Sequence, residues 1–135
     1  MKKKIIVLSM VSLLLLGGCA KGYKEGIYTA TATVTVDSNG KITSVELDTT
    51  YTKDGVKTTK KALGSEYGMY NNPYGSTIGE WDTQVKALED YIVKNQGIDS
   101  LKLNEDGKTD AVSGCTIKID ALYEAASNAL KQAKK

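Results

Sequence analysis

The chain has 135 residues, 18 of them lysine and 16 acidic, for a formal net charge of +2, and it contains neither arginine nor histidine. That length allows one small domain with a modest core, and the charge balance offers no basic face for nucleic acid. The missing histidine excludes haem ligation by His, the usual zinc and copper sites and His acid–base catalysis, and the missing arginine excludes a bidentate clamp on a free phosphate.

The first 18 residues read as a secretory leader. Met1-Lys2-Lys3-Lys4 is a short basic start, and residues 5–16 form a mostly apolar run too short for an ordinary spanning helix. Leu16-Gly17-Gly18-Cys19 then resembles a bacterial lipobox. That resemblance implies a diacylglyceryl thioether, and the acyl chains of a lipoprotein, on Cys19, with cleavage before it. The alternatives are an uncleaved anchor or a plain signal peptide. Cleavage removes three lysines and no acid, leaving 117 residues with 15 lysines against 16 acids, so the basic balance belongs to the leader. With Cys19 lipidated, Cys115 has no partner in the chain and is either a small buried residue or a lone thiol. Residues 19–25 make a lipidated tether, too short to let the domain roam, and residues 26–135 make the domain.

In residues 26–36, Tyr28, Ala30, Ala32, Val34 and Val36 alternate with threonines, which predicts a strand. Asp37-Ser38-Asn39-Gly40 signals a turn, and residues 42–51 return as a second strand marked by Val45 and Leu47, completing a β-hairpin. Residues 52–77 are polar and aperiodic, apart from a helical turn around residues 60–63. Loops of this length in a small domain tend to be functional. Tyr67, Gly68, Met69, Tyr70 and Tyr74 concentrate aromatic and thioether surface there, which argues against a loop left wholly in solvent, the bland alternative.

Residues 78–95 carry Ile78, Trp81, Val85, Leu88, Tyr91 and Ile92 at helical spacing, with Thr77 as N-cap, Glu80 completing a capping box and Gly97 ending the helix. Trp81 reads as a core or rim residue ahead of a ligand contact. A short strand is expected within residues 98–103, then a turn at residues 104–108, which lacks the spacing of a calcium loop. Asp110-Ala111-Val112-Ser113-Gly114-Cys115-Thr116 follows, and a last helix is expected over residues 117–134, burying Leu122, Ala125, Ala126, Ala129 and Leu130. Thr116 at a helix mouth is either an ordinary N-cap or a hydroxyl placed where the backbone favours an anion. Asp110 is either a participant in that chemistry or a turn-stabilising Asx residue.

Asp110, Ser113, Gly114 and Thr116 resemble the flavinylation motif of the FMN-binding domain family, with Cys115 where the family usually has alanine. The opening Gly-x-Tyr-Thr-Ala hairpin and the residues 64–69 loop are also similar to that family, so the likeness runs from Tyr23 to the C-terminus. The resemblance implies a relation to flavin-carrying subunits of sodium-pumping quinone reductase and Rnf-type complexes. The resemblance implies an α+β fold, a small domain whose hairpin-based antiparallel sheet is packed by two main helices. It implies FMN joined to Thr116 through its phosphoryl group by a separate, magnesium-dependent flavin transferase that uses FAD as donor. Asp110, Ser113, Gly114 and Cys115 would shape the acceptor loop, and Tyr67, Gly68 and Met69 would lie against the flavin ring. The expected role is an electron carrier anchored by lipid on the extracytoplasmic face of the cell membrane. It would take electrons from a membrane quinol or flavoprotein donor and is not itself an enzyme; no catalytic residue, metal or nucleic-acid partner is expected. The alternatives are a non-redox small-ligand-binding lipoprotein and a structural surface lipoprotein.

Overall fold

The computed structural model describes residues 4–7, 11–14, 27–70 and 78–133. Cys19, the tether, Tyr74, Thr77 and the side chain of Tyr28 lie outside the described residues. Two short N-terminal strands, β1 (Lys4–Val7) and β2 (Val11–Leu14), pair antiparallel with one edge of β3 (Ile27–Val36). β3 pairs on its other side with β4 (Ile42–Lys53), forming the expected hairpin. Asp37 closes the turn, its Oδ1 accepting the N–H groups of Asn39 and Lys41 at 2.9 Å each. Gly40 supplies the positive φ of 80° that the turn requires. The register slips between Thr35 and Val36, a bulge at the hairpin end.

A second hairpin follows inside the stretch expected to be loop. Asp54 (φ 51°) and Gly55 (φ 81°) make a two-residue turn into β5 (Val56–Thr59), which pairs with residues 50–53 of β4. Both turn residues are left-handed, as a type I′ hairpin demands. The strand escapes a periodicity search because it is exposed or half-exposed throughout and presents no alternating apolar face. The helical turn at α1 (Lys60–Leu63) is present, capped by Thr59 Oγ1, which accepts the Ala62 N–H, and passes into a 3-10 turn over Gly64–Tyr67.

α2 (Trp81–Asn95) starts three residues later than expected, with Glu80 as N-cap and Ile78 exposed. The capping box does not form, because the Glu80 carboxylate bonds another segment. At the other end Gln96, not Gly97, takes the left-handed cap position, while the Gly97 N–H closes on Ile92 O at 3.0 Å. Residues 98–103 hold no strand. They run as turns with Ile98 and Leu101 buried, the Leu101 N–H bonding Ile98 O instead of a neighbouring strand.

α3 (Asp120–Ala133) also starts later than expected. The chain stays non-helical up to Ile119, whose N–H is taken by Gly107 O at 2.8 Å; its carbonyl then accepts the first helical bond, from Tyr123. Thr116 is therefore not the N-cap of the last helix.

Helices cover one face of the sheet, α3 over β3 and α2 over β4. Ala30, Ala32, Val34 and Val36 of β3 and Ile42, Val45 and Leu47 of β4 point into the core. All five apolar positions expected of α3 meet them, and alanines on both surfaces permit a close approach. β5 covers only the far end of β4. Beyond it, α2 completes the β4 edge with side chains: Gln96 bonds both backbone groups of Ile42, and Glu89 Oε2 accepts the Leu47 N–H at 2.6 Å.

Candidate functional site

The first turns of α2 gather three segments that are distant in sequence. Glu80 and Gln84 sit four residues apart, on one side of the helix. The Glu80 carboxylate accepts the N–H of Met69 (2.5 Å) and of Tyr70 (3.2 Å), pinning the end of the aromatic loop to the helix start. One turn on, Gln84 is completely buried. Its Oε1 accepts both the N–H of Thr116 (2.8 Å) and the Thr116 hydroxyl (3.2 Å), and its Nε2 donates to Gly79 O (3.0 Å).

The loop is fixed by left-handed glycine and by aromatic contact. Gly68, at φ 77°, ends the 3-10 turn with its N–H on Ser65 O, which throws Met69 back toward Glu80. Tyr67 meets Tyr51 edge to face, with ring centroids 5.1 Å apart. Lys60 Nζ stands 5.1 Å from the Tyr67 ring centre and 5.3 Å from that of Trp81. Burial among these rings holds the Lys60 ammonium below the usual lysine range, with the charge of Asp48 partly opposing. Trp81 is buried and belongs to the core, the better of the two readings from sequence.

The residues 110–116 segment divides into buried and exposed halves. Val112 and Cys115 enter the core, while Asp110, Ser113, Gly114 and Thr116 face outward. Cys115 is a small buried residue; burial pushes its thiol up, with the Ile117 N–H partly offsetting. The Cys115 N–H turns back onto Val112 O, and Gly114 makes the turn at φ 81°. The side-chain bond that stabilises the entry to this loop comes from Thr109, whose Oγ1 accepts the Ala111 N–H at 3.1 Å. Asp110 lies instead at the rim of an open depression lined also by Lys102, Asn104, Lys108 and Ala111.

The structure thus brings Thr116 and the residues 67–70 loop to neighbouring turns of one helix, with Gly114 and Cys115 shaping the approach. Sequence reasoning missed Gln84, Lys60 and Thr109, and misread Glu80. One of these was visible: Gln84 is a polar residue on the stripe of Trp81, Val85 and Leu88, where an uncompensated carboxamide would be costly. Chemically, the site offers one exposed hydroxyl whose proton is held by a carboxamide. That group accepts a hydrogen bond but does not take a proton at neutral pH, so Gln84 orients the hydroxyl without serving as a base.

No curated protein and no solved structure matches the chain. The family model of the FMN-binding domain matches residues 22–131, the sheet from β3 onward, α1, α2, the site and most of α3. That match spans most of the chain, including Thr116, its turn and the aromatic loop, and the chain belongs to the FMN-binding domain family.

Proposed function

We propose that this protein is an electron carrier with FMN esterified through its phosphate to Thr116, held by lipid at Cys19 on the extracytoplasmic face of the membrane. The observation that carries the reading is the exposed Thr116 hydroxyl, fixed on Gln84 beside a loop of tyrosines. A phosphoester fits these residues. It would replace only the hydroxyl proton, leaving the Thr116 N–H on Gln84, and the Gly114 turn has open space, its nearest neighbour being Ala87 at 4.0 Å. Thr116 would hold the phosphate end, with Tyr67, Gly68 and Met69 toward the ring. When bound, the flavin supplies the one- and two-electron chemistry, and the chain supplies attachment and orientation. Covalent attachment suits a chain without arginine, which has no guanidinium to grip a free phosphate. A separate flavin transferase, with magnesium and FAD, would load the protein. A membrane quinol or flavoprotein would reduce it, and an external acceptor would receive the electrons.

Co-expression with a flavin transferase should add the mass of one FMN phosphoester, retained after denaturation. Thr116→Ala should abolish the adduct and the yellow colour, and Thr116→Ser should keep part of it because the nucleophile remains. An adduct that survives Thr116→Ala, or its absence from wild type, would overturn the assignment.

A further inference from the structure

Gln84 is a fully buried polar side chain whose carboxamide oxygen receives two donors from a single residue, the N–H and the hydroxyl of Thr116. Its nitrogen is tied to Gly79 O at 3.0 Å, so the amide cannot flip without losing both sets of bonds. We infer that Gln84 is the positioning residue for flavin transfer to this chain, locking the Thr116 side chain into one rotamer with its oxygen lone pairs turned to solvent.

The inference rests on Thr116 being the flavin acceptor. In the transfer a bond forms between Thr116 Oγ1 and the flavin-side phosphorus of FAD, and the phosphorus–oxygen bond to the AMP half breaks. AMP departs, the hydroxyl proton passes to a base of the transferase, and no electrons are exchanged. Gln84 does not take that proton. Its part is geometric: donation of the hydroxyl hydrogen to Oε1 fixes χ1 of Thr116, and the second bond fixes the backbone on which the side chain stands. A threonine free to rotate would spend much of its time with the oxygen misdirected, and a displacement of about 1 Å at a reacting atom costs about 100-fold in rate. After esterification the hydroxyl donor is gone, but the Thr116 N–H still bonds the same carboxamide, so one group holds acceptor and product loops alike.

The test uses the full chain with a purified flavin transferase, FAD and magnesium. Gln84→Met removes both acceptor contacts at similar volume, and Gln84→Glu keeps the acceptor oxygens but loses the donor to Gly79 and sets a negative charge beside the incoming phosphate. For Gln84→Met the expected result is a fall in kcat of about 100-fold with the KM for FAD within about twofold. For Gln84→Glu it is a fall of about tenfold or more. In the unmodified protein, the Hα–Hβ coupling of Thr116 should report one rotamer in wild type and an average in Gln84→Met, a readout that needs no flavin. Wild-type kcat in either folded variant, or a Thr116 coupling unchanged in Gln84→Met, overturns the role of Gln84 while leaving Thr116 as acceptor. Failure of wild type itself to accept flavin overturns the acceptor assignment, and this inference with it.

Discussion

The two residues that precede Thr116 show why this motif tolerates change unevenly. Gly114 sits at φ 81°, a conformation that costs an L-residue about 1–2 kcal/mol, so the position is demanding even though the space around it is open. Cys115 is the reverse: its backbone is ordinary and its side chain is packed in the core. Cys115→Ala should therefore cost about 1 kcal/mol of stability through one lost buried sulfur. If flavin is loaded on Thr116 as proposed, its rate of loading should equal that of wild type, because the Cys115 side chain is buried in the core while Thr116 is exposed. The native thiol should resist a thiol reagent until the chain is unfolded, since burial disfavours the thiolate. Rapid labelling in the folded state, or slowed loading in Cys115→Ala, would contradict this account. Thr116 was expected at the mouth of the last helix, which instead starts at Asp120, whereas the turn at Gly114 was legible in the sequence. Gln84 was less so, because its partner is 32 residues away and no local rule joins the two.

The element that organises the molecule is α2. Its first turns hold Thr116 and the aromatic loop, and its later turns finish the β4 edge through Glu89 and Gln96. Glu89 is almost fully buried and pairs with Lys61, which also reaches the exposed Glu46. Burial of the Lys61 ammonium alone would lower its pKa, but its bonds to Glu46 and Glu89 and their charges outweigh that and hold it above the usual range. Burial raises the Glu89 carboxyl, with Lys61 and the Leu47 N–H partly opposing. Lys61→Met should cost about 2–4 kcal/mol at neutral pH, because it strands a buried carboxylate that keeps only the Leu47 N–H. What Lys61 contributes is present in full below its unfolded pKa of about 10.5 and is lost as pH rises beyond it. Glu89 ionises less readily folded than unfolded, so toward acid pH the stranded carboxyl takes a proton and the deficit of the variant shrinks. Denaturant unfolding of both proteins across that range checks the sign; a deficit that grew toward acid pH would refute it. The elements themselves were unevenly legible. The first hairpin and the apolar face of α3 follow from period and turn residues. β5 was missed although Asp54-Gly55 announces it, because its strand has no buried face to produce alternation. Both helix starts were placed three residues early, because Ile78 and Ile117 continue an apolar rhythm that the chain does not use as helix.

Across the whole molecule, one local device recurs at two distant corners. Asp37-Ser38-Asn39-Gly40-Lys41 and Asn104-Glu105-Asp106-Gly107-Lys108 form the same turn: the first side-chain oxygen accepts the third and fifth N–H groups, and glycine takes the positive φ. The first makes the hairpin. The second sets Gly107 so close to Lys118 that a Cβ would lie 3.0 Å from its side chain, and from there aligns the chain entering α3. Turn chemistry of this kind is readable from sequence; the gathering of residues 69, 84 and 116 is not, because it depends on how helices dock on the sheet. The same scale governs the proposed link to the membrane. Only residues 20–25 separate Cys19 from the domain, and six extended residues reach no more than about 20 Å. With the lipid proposed on Cys19, a donor would have to work at the bilayer surface, whereas flavin loading as proposed would involve residues 67–116 and not the anchor. Cys19→Ala should accordingly yield a precursor that keeps its leader and gains no acyl mass, and an acylated product of mature length in that variant would refute lipidation at Cys19. Exchanging the leader for one cleaved without lipidation should separate the two dependences. The released domain should still carry flavin on Thr116 but should lose reduction by isolated membranes supplied with a quinol-generating substrate. Equal reduction of the released and anchored forms would mean that the donor is soluble and that the short tether serves retention alone.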